Sequence, residues 1–442
     1  MIFHRHYCIL FKVFKQNKKI FIPKGLIYTA TVKPFKAVRP LSEYAGRVAA
    51  LPYDVMNRDE AAKMAEGNPY SFLHIDKAEI DFPPETDPYS EQIYEKAASA
   101  LAALETDGVC RQDEKPGYYI YRQIMNGRSQ TGIVGCVSID DYINNVVKKH
   151  ELTHADKEAD RIHHVDTCDA NTGPIFLTYR RKEEIAAFIE KYKAEHSPVC
   201  DFMTDQRVRN TVWVVDDEEA IENLTKWFGD VESMYIADGH HRAASAINVG
   251  KMRRQQNPGY TGDEEFNFFL AILFSSDELA IMDYNRVINT LNGNTPEEFI
   301  EKMNEKFTVE PASVSPYRPE NPHTFGMFLE GKWFKVTAKE GTYNTTDPVE
   351  SLDVSILQEN LIDPLLGIKD LRNDKRIDFV GGIRGLKELE RRATTDMCLA
   401  FAMFPVTLDE LMAVSDAGRL MPPKSTWFEP KLLSGLFIHK LK

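Results

Sequence analysis

The sequence predicts an α+β fold: mixed sheets with flanking helices in a larger N-terminal core, followed by a smaller C-terminal α+β region. Three observations lead there. The 442 residues are 43% hydrophobic and 27% charged, the profile of a chain long enough for two or three domains and able to bury a core. Segments of period two and of period 3.6 are interspersed without the regular strand–helix–strand alternation of a doubly wound sheet. Asn126-Gly127 and Glu330-Gly331 each sit between alternating segments, as the tight turns of hairpins do.

The elements follow in order. Residues 1–28 carry Arg5, Lys12, Lys15, Lys18, Lys19 and Lys24, with no acid before Glu43, and are expected to be a disordered basic extension. The apolar run Tyr7–Phe11 is cut off by Lys12 and no small-residue cleavage site follows, so a signal peptide is not expected. Residues 29–293 are expected to form the first domain. It opens with a strand at 31–37, a helix at 58–66 stopped by Gly67-Asn68-Pro69, and a short apolar run at 71–75 read as a strand. A helix over 89–106 is predicted by Ile93, Ala97, Leu101 and Leu104 on one face, with Gly108 just past its end. A hairpin at 118–124 and 131–139 comes next, then helices at 182–196 and 218–228 and strands at 211–215 and 234–237. A second hairpin is expected at 268–274 and 278–287. The stretch 294–322, rich in Pro, Asn and Glu, reads as a junction and opens the second domain, 294–442. There a hairpin at 325–338, helices near 354–361 and 386–392, and strands at 377–380 and 398–405 are expected.

Composition narrows the function. Lys plus Arg is 54 against 67 for Asp plus Glu, a formal charge of −13, and such a field repels polyanions, so no nucleic-acid partner is expected. The six cysteines are scattered and form no C-x-x-C pair, as in a reducing compartment. No run of eighteen apolar residues occurs, so no membrane span is expected. A cytoplasmic location follows, with a homodimer as the oligomeric state to test.

Three segments carry chemistry. In Met234–Ala244 a buried strand meets Asp238-Gly239-His240-His241-Arg242 and then a small-residue helix. A helix N-terminus presents free N–H groups and a positive dipole end, to which two imidazoles and a guanidinium add donors. An N-cap role accounts for Asp238 and Gly239 but not for three donor-rich side chains in succession. In Lys148–Arg161, His150-Glu151-x-x-His154 matches the zinc-helix pattern, but charged residues flank it on both sides and no third ligand is evident. Lys148, Lys157 and Arg161 suit charge neutralisation, with Glu151 accepting a hydroxyl proton; a solvated helix laced with ion pairs is the plain alternative. In Met421–Lys431, Lys424, Ser425 and Thr426 follow two prolines that lack N–H groups, so the segment is not a P-loop but can present a cation and hydroxyls on a rigid loop.

Together with Val32–Pro40 and Pro52-Tyr53-Asp54-Val55, these segments, in this order, resemble the bacterial and archaeal domain of unknown function 1015 family from about Thr31 to the C-terminus. The strand–Asp238–Arg242–helix element is also similar to the phosphate-binding turn of the ParB and sulfiredoxin superfamily, which includes free-serine kinases. The resemblance implies a ParB/sulfiredoxin-like core in which Gly239, His240, His241 and Arg242 hold nucleotide phosphates, and it points to free serine as the substrate. The expected function is a nucleotide-dependent phosphotransferase acting on a small hydroxyl compound, with ATP or ADP and Mg²⁺, and with Glu151 and Asp238 as the catalytic carboxylates. Lys148, Lys157, Arg161, Lys424, Ser425 and Thr426 complete the expected anion site. Two rivals remain: a metal-dependent phosphohydrolase with Asp238, His240 and His241 as ligands, and a nucleotide-binding regulator without catalysis.

Overall fold

In the computed structural model, residues 29–442 are described; the basic extension expected at 1–28 lies outside them. Alternation builds the centre of the fold. In the strands Tyr118–Met125 and Arg128–Ser138, joined by Asn126 and Gly127 at φ 52° and 82°, successive side chains point to opposite faces. Tyr119, Tyr121, Val134 and Cys136 enter one buried cluster, while Tyr118, Ile120, Ile133 and Val137 enter another. A sheet covered on both faces needs apolar residues in both registers, which explains the near-continuous apolar text of these strands.

This hairpin lies within a nine-stranded mixed sheet. Its path runs through Val147–Lys148, Met234–Asp238, Ile175–Tyr179, Phe268–Ser275, the hairpin strands in reverse order, Arg209–Val215 and Cys200–Met203, with Val32–Lys33 paired to Arg128–Ser138. One face is covered by the helices Glu183–Glu195, Glu218–Gly229 and His240–Gln256, which bury Ile185, Leu224, Ala243 and Ile247. The other face shares a continuous core with a second, six-stranded antiparallel sheet, where Phe325, Met327 and Phe401 join Tyr119 and Leu270. The helix Glu91–Thr106 buries the predicted Ile93, Ala97, Leu101 and Leu104 and packs against Ala155–Cys168.

The α+β class is therefore the observed one, but several expectations change. Residues 71–75 form no strand: Leu73–Asp76 is a helical turn, with Phe72, Leu73 and Ile75 buried among the N-terminal helices. Packing decides the conformation of so short an apolar run. The expected hairpin at 268–287 is divided between the sheets. Phe268–Ser275 stays in the first, whereas Tyr284–Ile288 pairs with Ile377–Gly381 and Leu399–Ala402 in the second. The stretch 294–322 holds a helix, Pro296–Met303, with a reciprocal Thr295/Glu298 capping box, and an edge strand, Phe307–Pro311. The helix Leu408–Asp416, capped the same way by Thr407 and Glu410, was not anticipated.

The C-terminal segment returns to the first sheet's side of the molecule. Trp427–Phe428 pairs with Ile281–Met282, His439–Lys440 pairs with Ala170–Asn171, and Ser434 bridges to Ala50. The candidate site depends on this return.

Candidate functional site

Strand pairing brings the motifs together. Met234–Asp238 runs parallel to Val147–Lys148, with Met234 opposite Val147 and Tyr235 opposite Lys148. Because parallel neighbours advance in step, the residues that follow on each chain, Asp238-Gly239 and His150-Glu151, leave the sheet side by side. The Met421 N–H then donates to the His150 carbonyl at 2.8 Å, which ties the Met421–Thr426 loop to the same end. Segments far apart in the chain thus close on one cavity of about 140 Å³, whose walls include Asp54, Glu151, Asp238, His240, Lys424 and Lys431.

Gly239 begins the site helix at φ 90°, a left-handed conformation in which side chains are strained. A Cβ there would also lie 3.1 Å from the Arg242 guanidinium. The amides of the first helical turn have no acceptor within the helix, and with the dipole they make this end of the cavity favourable to negative charge.

The side chains at this turn diverge. His240 is buried, faces the cavity and meets the His150 ring edge-on with centroids 4.5 Å apart. Its Nε2 and the Nδ1 of His150 are buried without a hydrogen-bond partner. Burial holds His150 neutral, lowering its pKa to about 4, and drives His240 well below the usual histidine value, with the neighbouring imidazole adding to the effect. His241 stacks near His154, with centroids 6.0 Å apart; burial, Lys157 and His154 lower its pKa to about 4. Arg242 turns to a second, much smaller cavity shared with Tyr53, Asp76 and Arg161. There it donates to the Pro174 carbonyl and approaches Asp238 at 3.8 Å.

The carboxylates differ in character. Burial alone would raise the Asp238 pKa, but Lys431 at 3.4 Å and Arg242 outweigh it and hold the group ionised, below the usual carboxylate range. Glu151 is shifted the other way: burial raises its pKa despite Lys424 and Arg372, and Asp238 adds to the rise. One cavity therefore contains a fixed anion and a carboxylate more basic than usual. Divergent pKa values in a shared pocket mark acid–base sites.

The third segment supplies cations and hydroxyls. Lys424 lies at φ 60°, and its carbonyl accepts from Arg286 at 3.2 Å. Ser425 Oγ donates to Pro422 at 2.6 Å, and Thr426 Oγ1 lies 3.5 Å from His150 Nε2. Arg286 is fully buried, donates to the Tyr284 carbonyl as well, and has its pKa lowered to about 10 by burial. It still carries its charge near neutrality, directly beneath the Lys424 loop.

Of the sequence-predicted residues, the cavity gathers Glu151, Asp238, His240, Lys424, Ser425 and Thr426, with Gly239 framing its edge. Lys148 is held by Asp416 at 2.6 Å, away from the cavity. Lys157 is exposed, and Arg161 pairs with Asp160 and lies over the Tyr53 ring. His150-Glu151-x-x-His154 is not helical, since its helix begins only at Ala155 after His154 as N-cap. Among the described residues, no group of three His, Cys, Asp or Glu side chains is arranged to hold a metal ion, so the phosphohydrolase ligand set Asp238, His240 and His241 is not assembled. The sequence reading missed Lys431, Asp54, Tyr284 and Arg286. Lys431 and Asp54 lie inside segments already singled out, but their partners are far away in the chain. Nothing local marks Arg286.

No helix among the described residues is long and apolar enough to cross a membrane. No curated protein matches the chain in sequence. Among solved structures, a mutant free serine kinase in complex with AMP is similar at 15% identity and a TM-score of 0.35, covering 69% of this chain and 92% of its own. Another mutant, in complex with ADP, is similar at 15% identity and a TM-score of 0.34, with the same coverage. SbnI from Staphylococcus aureus, with a C-terminal truncation, is similar at 11% identity and a TM-score of 0.35, covering 68% and 85%. The family model described as a protein of unknown function, DUF1015, matches residues 32–355, stopping short of the Met421–Thr426 loop. That match takes in most of the chain, including the His150-Glu151 and Asp238–Arg242 segments, and the chain belongs to the DUF1015 family.

Proposed function

We propose that the cavity is the site of a nucleotide-dependent phosphotransferase acting on a small hydroxyl compound, with free serine as the first substrate to test. The observation that carries this reading is the cavity's composition. A carboxylate of raised basicity, Glu151, lies in one cavity with two lysines, an ionised aspartate and an uncapped helix N-terminus.

Phosphoryl transfer asks a protein mainly for positioned positive charge and an in-line hydroxyl. Lys424, Lys431 and the first-turn amides face the phosphate oxygens. Glu151 accepts the hydroxyl proton as the substrate oxygen bonds to phosphorus, and the phosphoryl–oxygen bond to the nucleotide breaks with its electrons staying on the departing phosphate. The unpartnered Nε2 of His240, neutral at physiological pH, is free to donate or accept at the cavity wall. Magnesium, which needs only one or two carboxylates beside phosphate oxygens, would be held by Asp238 and Asp54, and when bound it neutralises charge on the phosphates.

Size agrees with the substrate class. A cavity on the order of 150 Å³ admits a molecule as large as benzene, so about 140 Å³ suits a compact amino acid or a phosphoryl group and not a whole nucleotide. The test is incubation of the full chain with ATP or ADP, Mg²⁺ and serine, with phosphorylated product read by mass spectrometry. Product formed by the wild type and lost in Glu151→Gln is the expected result. Absence of product from serine and from a panel of small hydroxyl compounds overturns the reading.

A further inference from the structure

A third cavity adjoins the polar one, and its chemistry is the opposite. It measures about 210 Å³, and Leu51, Val55, Met125, Ile383 and Leu433 make its lining largely apolar. Val55, Trp427 and Lys431 line both cavities. The partition is rigid. A Cβ on Gly381 would lie 2.7 Å from the Trp427 ring, so the indole rests directly on a glycine backbone, while its Nε1 donates to Glu429 at 3.1 Å. Lys431 stands at the threshold, with its ammonium 4.7 Å from the Trp427 ring centroid and 3.4 Å from Asp238. The floor is fixed as well. Gln123 is fully buried, donates to Asn210 and to the Lys431 carbonyl, and accepts from Gln130.

From this juxtaposition we infer that the apolar cavity receives the purine base of the phosphate donor, with Lys431 beneath the phosphates that join the two ends. The inference rests on the phosphotransferase reading and adds to it the subsite for the donor's base. Four observations favour a base over other occupants. The polar cavity is too small for a nucleotide, so a donor that reaches it must leave most of its bulk in adjoining space. The adjoining space is larger than one that admits benzene, as a fused two-ring system needs. Its rim carries Gln206, whose carboxamide offers the donor–acceptor pair that matches an adenine edge. Ile383, 48% exposed in the turn Gly382–Arg384, is an apolar side chain that the fold leaves half uncovered, and a base seated here would cover it.

The experiment is calorimetric titration of the full chain with ADP and, separately, with pyrophosphate, in the wild type and in Ile383→Asn and Gln206→Ala. Neither substitution removes a buried side chain or adds charge, and unchanged thermal unfolding confirms that each variant folds. The inference expects ADP affinity to fall about tenfold or more in Ile383→Asn and severalfold in Gln206→Ala, with pyrophosphate affinity unaltered in both. ADP affinity that is equal in wild type and Ile383→Asn, with pyrophosphate still bound, overturns the base subsite and leaves the phosphate site intact. Failure of the wild type to bind either compound overturns the phosphotransferase reading and this inference with it.

Discussion

His150 offers the sharpest test of the electrostatics. Its ring is 2% exposed, lies edge-on to His240, and has a pKa near 4 because burial disfavours the cation. A histidine with a depressed folded-state pKa contributes stability that is fully present above the unfolded value of about 6.5 and is lost as the pH falls through that value toward 4. Between about pH 7 and pH 5, linkage makes this loss about 2 kcal/mol for His150 alone. Two carboxylates lie close by, Asp238 acting on the ring and Glu151 next along the chain. Asp238 stays ionised throughout the window. Glu151, whose pKa is raised, takes up a proton more readily folded than unfolded and so acts in the opposite sense. The wild-type slope therefore mixes signs, and the informative quantity is a difference between proteins. Urea unfolding of wild type and His150→Gln at the two pH values should show the variant losing about 2 kcal/mol less on acidification. Equal losses in the two proteins would refute the argument that burial holds this imidazole neutral.

Other substitutions separate chemistry from architecture. Glu151→Gln should lower kcat about 10²- to 10⁴-fold, the usual range for losing a general base, while ADP affinity measured by calorimetry changes little. Arg286→Met removes a buried guanidinium that has no carboxylate partner, so urea stability should hold or rise; nucleotide affinity should nevertheless fall, because the Lys424 carbonyl loses its donor. Gly239→Ala should cost about 1–2 kcal/mol in urea unfolding from the left-handed backbone alone, and more if Arg242 is displaced.

Where structure depends on neighbours in sequence, the sequence shows it. The turns at Asn126-Gly127 and Glu330-Gly331 form as expected, with all four residues at positive φ, because Gly127 and Gly331 take that conformation without a Cβ penalty. The helix at 91–106 and the site strand follow their own periodicity. Two helices had equally local signals: Thr295 and Glu298, and Thr407 and Glu410, are spaced as capping boxes. The Pro-, Asn- and Glu-rich composition around 294–322 reads as irregular chain, but the Thr295/Glu298 spacing inside it marks a helix. The 71–75 turn is different in kind, since its apolar residues fit either period and the packed N-terminal helices choose between them.

The site divides along the same line. Each motif announces its chemistry through residues adjacent in the chain, which is why Glu151, Asp238, His240 and Lys424 could be nominated. Which donors converge is a matter of register. Parallel pairing of Tyr235 with Lys148 aims the His150-Glu151 segment at the cavity, but it leaves Lys148 itself two residues too early, where Asp416 takes it. The helix sends His240 and Arg242 to different sides, since residues two apart on a helix do not share a face. The positive charge expected from Arg242 is supplied instead by Lys431, 193 residues beyond its partner Asp238. Arg242 pins Asp238 from behind while Lys431 pairs with it from the cavity side, so the carboxylate stays ionised between a structural cation and one placed to meet phosphate. Removing Lys431 should then weaken pyrophosphate binding without freeing Asp238 to protonate near neutrality, because Arg242 and the Gly239 N–H continue to hold its charge. An Asp238 that titrated near neutrality in Lys431→Met, followed by NMR, would show that Arg242 has no such role.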